Sequence, residues 1–78
     1  MFVLAVYGCH WGPPQANSHV NGGISVGSAT TLGACQSACQ NTSGCIGIDI
    51  SGANCYKIFS GSVVYVASVT HYDYICPS

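Results

Sequence analysis

Three cysteines fall within residues 34–50, ACQSACQNTSGCIGIDI, at Cys35, Cys39 and Cys45. Sulfurs this close can ligate a metal, cycle between redox states, attack as a thiolate or close disulfides, and each chemistry needs different neighbours. Zinc sites use C-x2-C pairs or an H-x3–5-H run. Here the spacings are C-x3-C and C-x5-C, and His10, His19 and His71 are scattered along the chain. Calcium takes several carboxylates, and this chain has two, Asp49 and Asp73. A thioredoxin-type centre needs C-x-x-C on a βαβ frame, and neither is present. No metal or cofactor is expected.

Nucleophilic catalysis has one formal match, Gly23-Ile24-Ser25-Val26-Gly27, which fits G-x-S-x-G. That motif works at a strand-to-helix elbow of an α/β-hydrolase sheet, with an acid and a histidine downstream. A chain of 78 residues cannot build that sheet, so the stretch reads as a glycine-flanked strand or loop. His71 and Asp73 lie two apart and fit one strand face, but with no positioned nucleophile they read as a surface pair. Glycoside hydrolysis by paired carboxylates needs Asp49 and Asp73 to be neighbours, and nothing in their spacing argues for it. The expected protein is not an enzyme.

Disulfides remain. A domain of this size buries only about 60% of the surface its unfolded chain exposes, so its core needs covalent help. Six cysteines in 78 residues, an even count, read as a disulfide scaffold from an oxidising compartment, secreted or extracellular. Charge is just as unusual. Lys57, Asp49 and Asp73 are the only charged side chains, 4% of the chain, beside a 49% hydrophobic fraction and a net charge of -1. With one Lys and no Arg there is nothing to neutralise phosphates, which excludes nucleic acid as a partner. A surface so poor in charge tends to associate, so either glycans solubilise it or association is its purpose. No apolar stretch approaches the roughly 20 residues of a transmembrane helix. Residues 1–6 lack the basic start and cleavage site of a signal peptide, so an export signal is expected to lie outside this sequence.

The elements that must position these side chains can be read from pattern. FVLAVY at 2–7 is β-branched and aromatic enough for a strand, and residues 8–23, punctuated by Pro13-Pro14, Asn17-Ser18 and Asn21-Gly22-Gly23, read as loop. A short strand fits at 24–26. Thr30 or Thr31 offers a capping hydroxyl, and Leu32, Cys35, Ala38 and Cys39 recur at helical spacing to about Asn41. After Gly44 the chain alternates, with Ile46, Ile48 and Ile50 on one side and Gly47 and Asp49 on the other, as in a half-buried strand. Residues 51–54 form a turn, 55–59 the return strand, and 63 onward one or two more. The fold class is α+β, one short helix against a small antiparallel sheet, in a single domain spanning 1–78. A four-residue turn puts Lys57 on the isoleucine face, leaving open whether a bulge or another register removes it.

Helical spacing sets Cys35 and Cys39 on one face, so each seeks a partner outside the helix. Cys45 is within reach of Cys39 across QNTSG, Cys55 opens the return strand, and Cys9 and Cys76 sit near the ends. Six cysteines allow fifteen connectivities, and spacing alone leaves them open.

Residues 30–59, TTLGACQSACQNTSGCIGIDISGANCYKIF, resemble the core of the PAN/apple domains: a capped helix with C-x3-C, C-x5-C into a strand, a hairpin, and an aromatic after the next cysteine. Cys9 and Cys76 match the outer pair of the apple subtype. The resemblance implies a nested frame, Cys9–Cys76, Cys35–Cys55 and Cys39–Cys45, and a sheet of about five strands cradling one helix. Members of that family are non-catalytic extracellular modules that bind proteins or carbohydrates. Scarcity of charge here weighs against acidic ligands. For a sugar, the available aromatic faces and polar groups are Trp11, Tyr56, Lys57, Tyr72, Asp73 and Tyr74. Asn41-Thr42-Ser43 is an N-x-S sequon between Cys39 and Cys45, which makes Asn41 a candidate glycan site.

Two functions follow as expectations. One is a recognition module for protein or glycan. The alternative is a structural subunit whose neutral strands, FVLAVY or VVYVASV, pair between copies into a fibre, coat or matrix.

Overall fold

A computed structural model describes residues 8–77. The strand expected at 2–7 lies outside the described residues. From Gly8 onward the chain builds β1 (His10–Trp11), β2 (Gln15–Val20), β3 (Ile24–Ser25), α1 (Leu32–Gln40), β4 (Gly47–Ser51), β5 (Asn54–Ile58) and β6 (Val63–Ile75). The strands form one antiparallel sheet of six, one more than expected, in the order β1-β6-β4-β5-β3, with β2 also on β6. The fold is α+β, with one short helix on the sheet. The disulfides are Cys9–Cys76, Cys35–Cys55 and Cys39–Cys45, the nested frame that the resemblance implies.

Thr31 starts α1: its backbone is extended and its hydroxyl accepts from the Ala34 amide at 3.2 Å, satisfying one of the free donors of the first turn. Nine residues are too few for an isolated helix in water. Two of them, Cys35 and Cys39, are fully buried and covalently tied, one to β5 and one to the loop before β4. Leu32, expected on the buried face, is 41% exposed, because the ties hold the later turns and leave the first turn in solvent.

The hairpin of β4 and β5 turns at Gly52-Ala53, with Ser51 paired to Asn54 and Gly52 at φ 61, a conformation that glycine adopts without strain. Ile48 pairs with Lys57 and Ile50 with Cys55, and cross-strand partners share a face. Lys57 therefore does lie on the isoleucine face, with no bulge to remove it. Its stem is half-buried and its ammonium donates to Thr42 Oγ1 at 3.1 Å, beside the helix exit, as long cationic side chains commonly do. Ile48 and Ile50 pack with the cysteines, Tyr72, Phe59 and Trp11 under α1. Ile46 does not join them; it precedes the strand and is 47% exposed.

The opposite face of β4 departs furthest from expectation. Asp49 is 0% exposed, so β4 is buried on both sides. The cover is β2, which residues 8–23 supply in place of the expected loop, together with β1. Between the pairs Ala16↔Thr70 and Ser18↔Tyr65, β2 advances two residues while β6 retreats five. Asn17 (φ 53) and Ser68 (φ 70) take left-handed backbone at this irregularity, and the Ser68 amide donates to Asn17 Oδ1 at 3.0 Å. Asparagine tolerates that conformation better than most residues. The resulting bend brings Val20 back over Asp49.

Candidate functional site

Asp49 collects three donors. Its Oδ1 lies 2.6 Å from His71 Nδ1; its Oδ2 lies 2.8 Å from His19 Nδ1 and accepts the Val20 amide at 2.9 Å. The second ring nitrogen of His71, Nε2, lies 2.8 Å from Asp73 Oδ1, and Asp73 Oδ2 accepts from Gln15 Nε2 at 3.0 Å. Both carboxylates of the chain and two of its three histidines thus form one cluster. Register builds it: Asp49 is paired with His71 across β4 and β6, and Asp73 follows two residues on, on the same face. His71 is 2% exposed. The expected surface pair of His71 and Asp73 is therefore a contact whose histidine is inside the protein, because β2 covers it.

Both ring nitrogens of His71 thus lie within hydrogen-bond distance of a carboxyl oxygen. The desolvation of a buried carboxylate, several kcal/mol if unpaired, is offset by this density of donors. Both ring nitrogens of His71 face carboxyl oxygens, and Ser25 is exposed on β3. Chemically the cluster is a clamp: it orients Asp73 and holds β2 on the sheet.

On the rim of that clamp, a groove of about 550 Å³ runs between residues 44–46 and the end of β6. Asp73, 49% exposed at its side chain, stands on one flank, with Tyr74, Ile46 and Ile75 around it. The Tyr74 amide donates to the Ile46 carbonyl at 2.9 Å, and Cys45 and Cys76 tie both walls into the disulfide frame. Trp11 stacks on Tyr74 with ring centroids 4.7 Å apart, while its indole Nε1 is buried and has no acceptor among the described residues.

Of the residues singled out for ligand contact, the structure brings Asp73 and Tyr74 together at the groove, with Trp11 behind Tyr74. Tyr72 packs under α1. Tyr56 and Lys57 face opposite sides of β5, away from that group, and Lys57 is committed to Thr42. Asn41 is exposed at the C-cap of α1, an accessible position for a glycan. His19, Gln15 and the Val20 amide were not singled out. One signal pointed toward them: a charge flanked by isoleucines in a strand has to find donors, and the chain has few.

No helix among the described residues is long and apolar enough to cross a membrane. No family model matches the chain, and no curated protein or solved structure matches it either.

Proposed function

We propose that this chain is a non-catalytic recognition module of PAN/apple type, working outside the reducing cytosol, and that it takes a protein or carbohydrate ligand in the groove beside Asp73 and Tyr74. The observation that carries this reading is the state of Asp73. Its carboxylate is held by His71 and Gln15, its side chain is half-exposed, and the residue lines the groove together with Tyr74 and two exposed isoleucines. A few fixed polar groups beside apolar surface are the usual make-up of a ligand seat. Three disulfides are compatible with an extracellular location.

The test is a glycan array and a panel of extended peptides, followed by calorimetry on Tyr74→Ala and Ile46→Ser. Binding weakened about tenfold or more by both substitutions supports the groove. Binding that neither substitution alters, or no ligand in either panel, removes it.

A further inference from the structure

The chain has four asparagines, Asn17, Asn21, Asn41 and Asn54, and one of them is followed by glycine. Asn21-Gly22 is the exposed turn that carries the chain from β2 to β3. Asparagine is chemically labile, and its lability depends on the backbone amide of the next residue, which has to be free to fold back onto the side-chain carbonyl.

Three of the four are restrained against this. The amide after Asn41 donates to the Cys39 carbonyl at 3.0 Å, beside the helix C-cap. Asn54 leads into Cys55, which is buried and paired with Ile50 in the β4–β5 ladder. Asn17 lies within β2, and its Oδ1 accepts the Ser68 amide at 3.0 Å. At Asn21 every such restraint is missing. Neither its side chain nor the Gly22 amide forms a hydrogen bond among the described residues. A Cβ on Gly22 would meet nothing within 4 Å, and its φ of 90 is a conformation that glycine adopts readily. The turn follows the pairing of Val20 with Val63 at the start of β6, whereas Gly8 leads into β1 at the other end of that strand.

We propose that Asn21 is a site of spontaneous covalent modification. The Gly22 nitrogen gives its proton to hydroxide and attacks Cγ of Asn21. The N–Cγ bond forms, the Cγ–Nδ2 bond breaks, and Nδ2 takes a proton from water and leaves as ammonia. Water then opens the resulting five-membered succinimide at one of its two carbonyls. Opening at Cγ leaves an aspartate with the ordinary peptide bond; opening at the original peptide carbonyl leaves isoaspartate, with the chain routed through Cγ and one methylene longer. Either product adds one negative charge to a chain whose net charge is -1. The longer backbone also has a structural consequence. Before the turn, Val20 donates its amide to Asp49 Oδ2 at 2.9 Å. After it, Gly23 is packed so closely that a Cβ would lie 2.7 Å from Ile58 Cδ1 and 3.1 Å from Tyr56 Cβ. Two fixed points thus bracket the turn, and an extra methylene between them strains the hold of β2 on Asp49. Neither the groove nor Asp73 takes part.

Peptide mapping of the folded, disulfide-bonded protein after ageing in mildly alkaline buffer tests the proposal, with isoelectric focusing to follow the charge. Asn21 should convert at least about tenfold faster than Asn17, Asn41 or Asn54, with isoaspartate among the products, and within about threefold of its rate in the reduced, unfolded chain. Asn21→Gln should abolish the acidic form, because its longer side chain closes a less favourable six-membered ring. Asn21→Asp should carry the charge from the start without the added methylene. The isoaspartate form, separated by reversed-phase chromatography and refolded, should exchange its Val20 amide about tenfold faster than Asn21→Asp. An Asn21 that stays intact in the folded protein, faster conversion at another asparagine, an acidic form that persists in Asn21→Gln, or equal Val20 exchange in the isoaspartate form and Asn21→Asp overturns it.

Discussion

Asp49 and His71 stand directly opposite each other in the β4–β6 register and meet at 2.6 Å inside the protein. Because side chains alternate along a strand, a one-residue slip of β4 would send Asp49 into the disulfide core and an isoleucine against the His71 ring. The pair thus ties strand alignment to charge pairing: only the observed register gives the buried carboxylate its donors.

Replacing Asp49 should therefore be among the most damaging single changes. Asp49→Asn keeps the shape but offers an NH2 where a donor already points, leaving buried groups unpaired. We expect a loss of about 3–5 kcal/mol, the range for breaking a buried pair by removing one partner, measured by urea unfolding with disulfides intact. The double variant Asp49→Asn/His71→Gln should lose less than the sum of the two singles. Strict additivity would show that the two residues are not coupled.

Two glycines should respond with opposite signs. A Cβ built on Gly47 lies 2.7 Å from the Tyr72 carbonyl oxygen and 3.1 Å from His71 Cε1, so Gly47→Ala should cost about 1–3 kcal/mol by overpacking against backbone and ring. Gly33 is exposed in the first turn of α1, and a Cβ there meets nothing within 4 Å. Gly33→Ala should gain up to about 1 kcal/mol from helix propensity. Equal shifts in the two unfolding curves would contradict the close approach at Gly47.

Trp11 offers a test of an unmatched donor. The indole N–H has no acceptor among the described residues, yet the ring stacks on Tyr74. Trp11→Phe removes the donor and keeps an aromatic face, so it should change stability by less than about 1 kcal/mol, whereas Trp11→Ala should cost about 3–5 kcal/mol. Thermal unfolding separates them. A Phe variant as damaged as the Ala variant would mean that the N–H is satisfied in solution.

The link from α1 to β5 should matter more than its length suggests. Cys35→Ala/Cys55→Ala removes a bridge spanning 20 residues, worth about 3 kcal/mol by loop entropy, and also empties volume between two fully buried positions. We expect a loss above that entropic figure, read from denaturant midpoints. A loss below about 1 kcal/mol would mean that packing alone seats the helix.

Much of the frame was legible because it is local. Thr31, the Cys35 and Cys39 spacing and the alternation from Gly47 to Ile50 each report on a few neighbouring residues, and the helix and the central hairpin follow from them. The cysteine partners needed the family resemblance, since spacing left many pairings open. β2 was not legible. QANSHV has no apolar alternation, it is preceded by two prolines, and it becomes a strand through a bend at Asn17 and a hydrogen bond from Val20 to a carboxylate 29 residues away. Periodicity does not record such contacts. The groove is likewise assembled from two distant stretches, so Asp73 and Tyr74 were nameable as residue types while their shared setting was not.

The two layers laid on β4 are secured by different chemistry. α1 cannot leave the sheet without cleavage of sulfur–sulfur bonds, whereas β2 is held by hydrogen bonds to Asp49 and Asp73 and by its ladder on β6. Transient openings of the native state should therefore be lopsided. The amides of β2 exchange through brief detachments while those of α1 and β4 stay closed, and the burial of Cys35, Cys39 and Cys55 shields the helix ties from a mild reductant. The domain has one face closed by covalent bonds out of reach of solvent and another that opens to water.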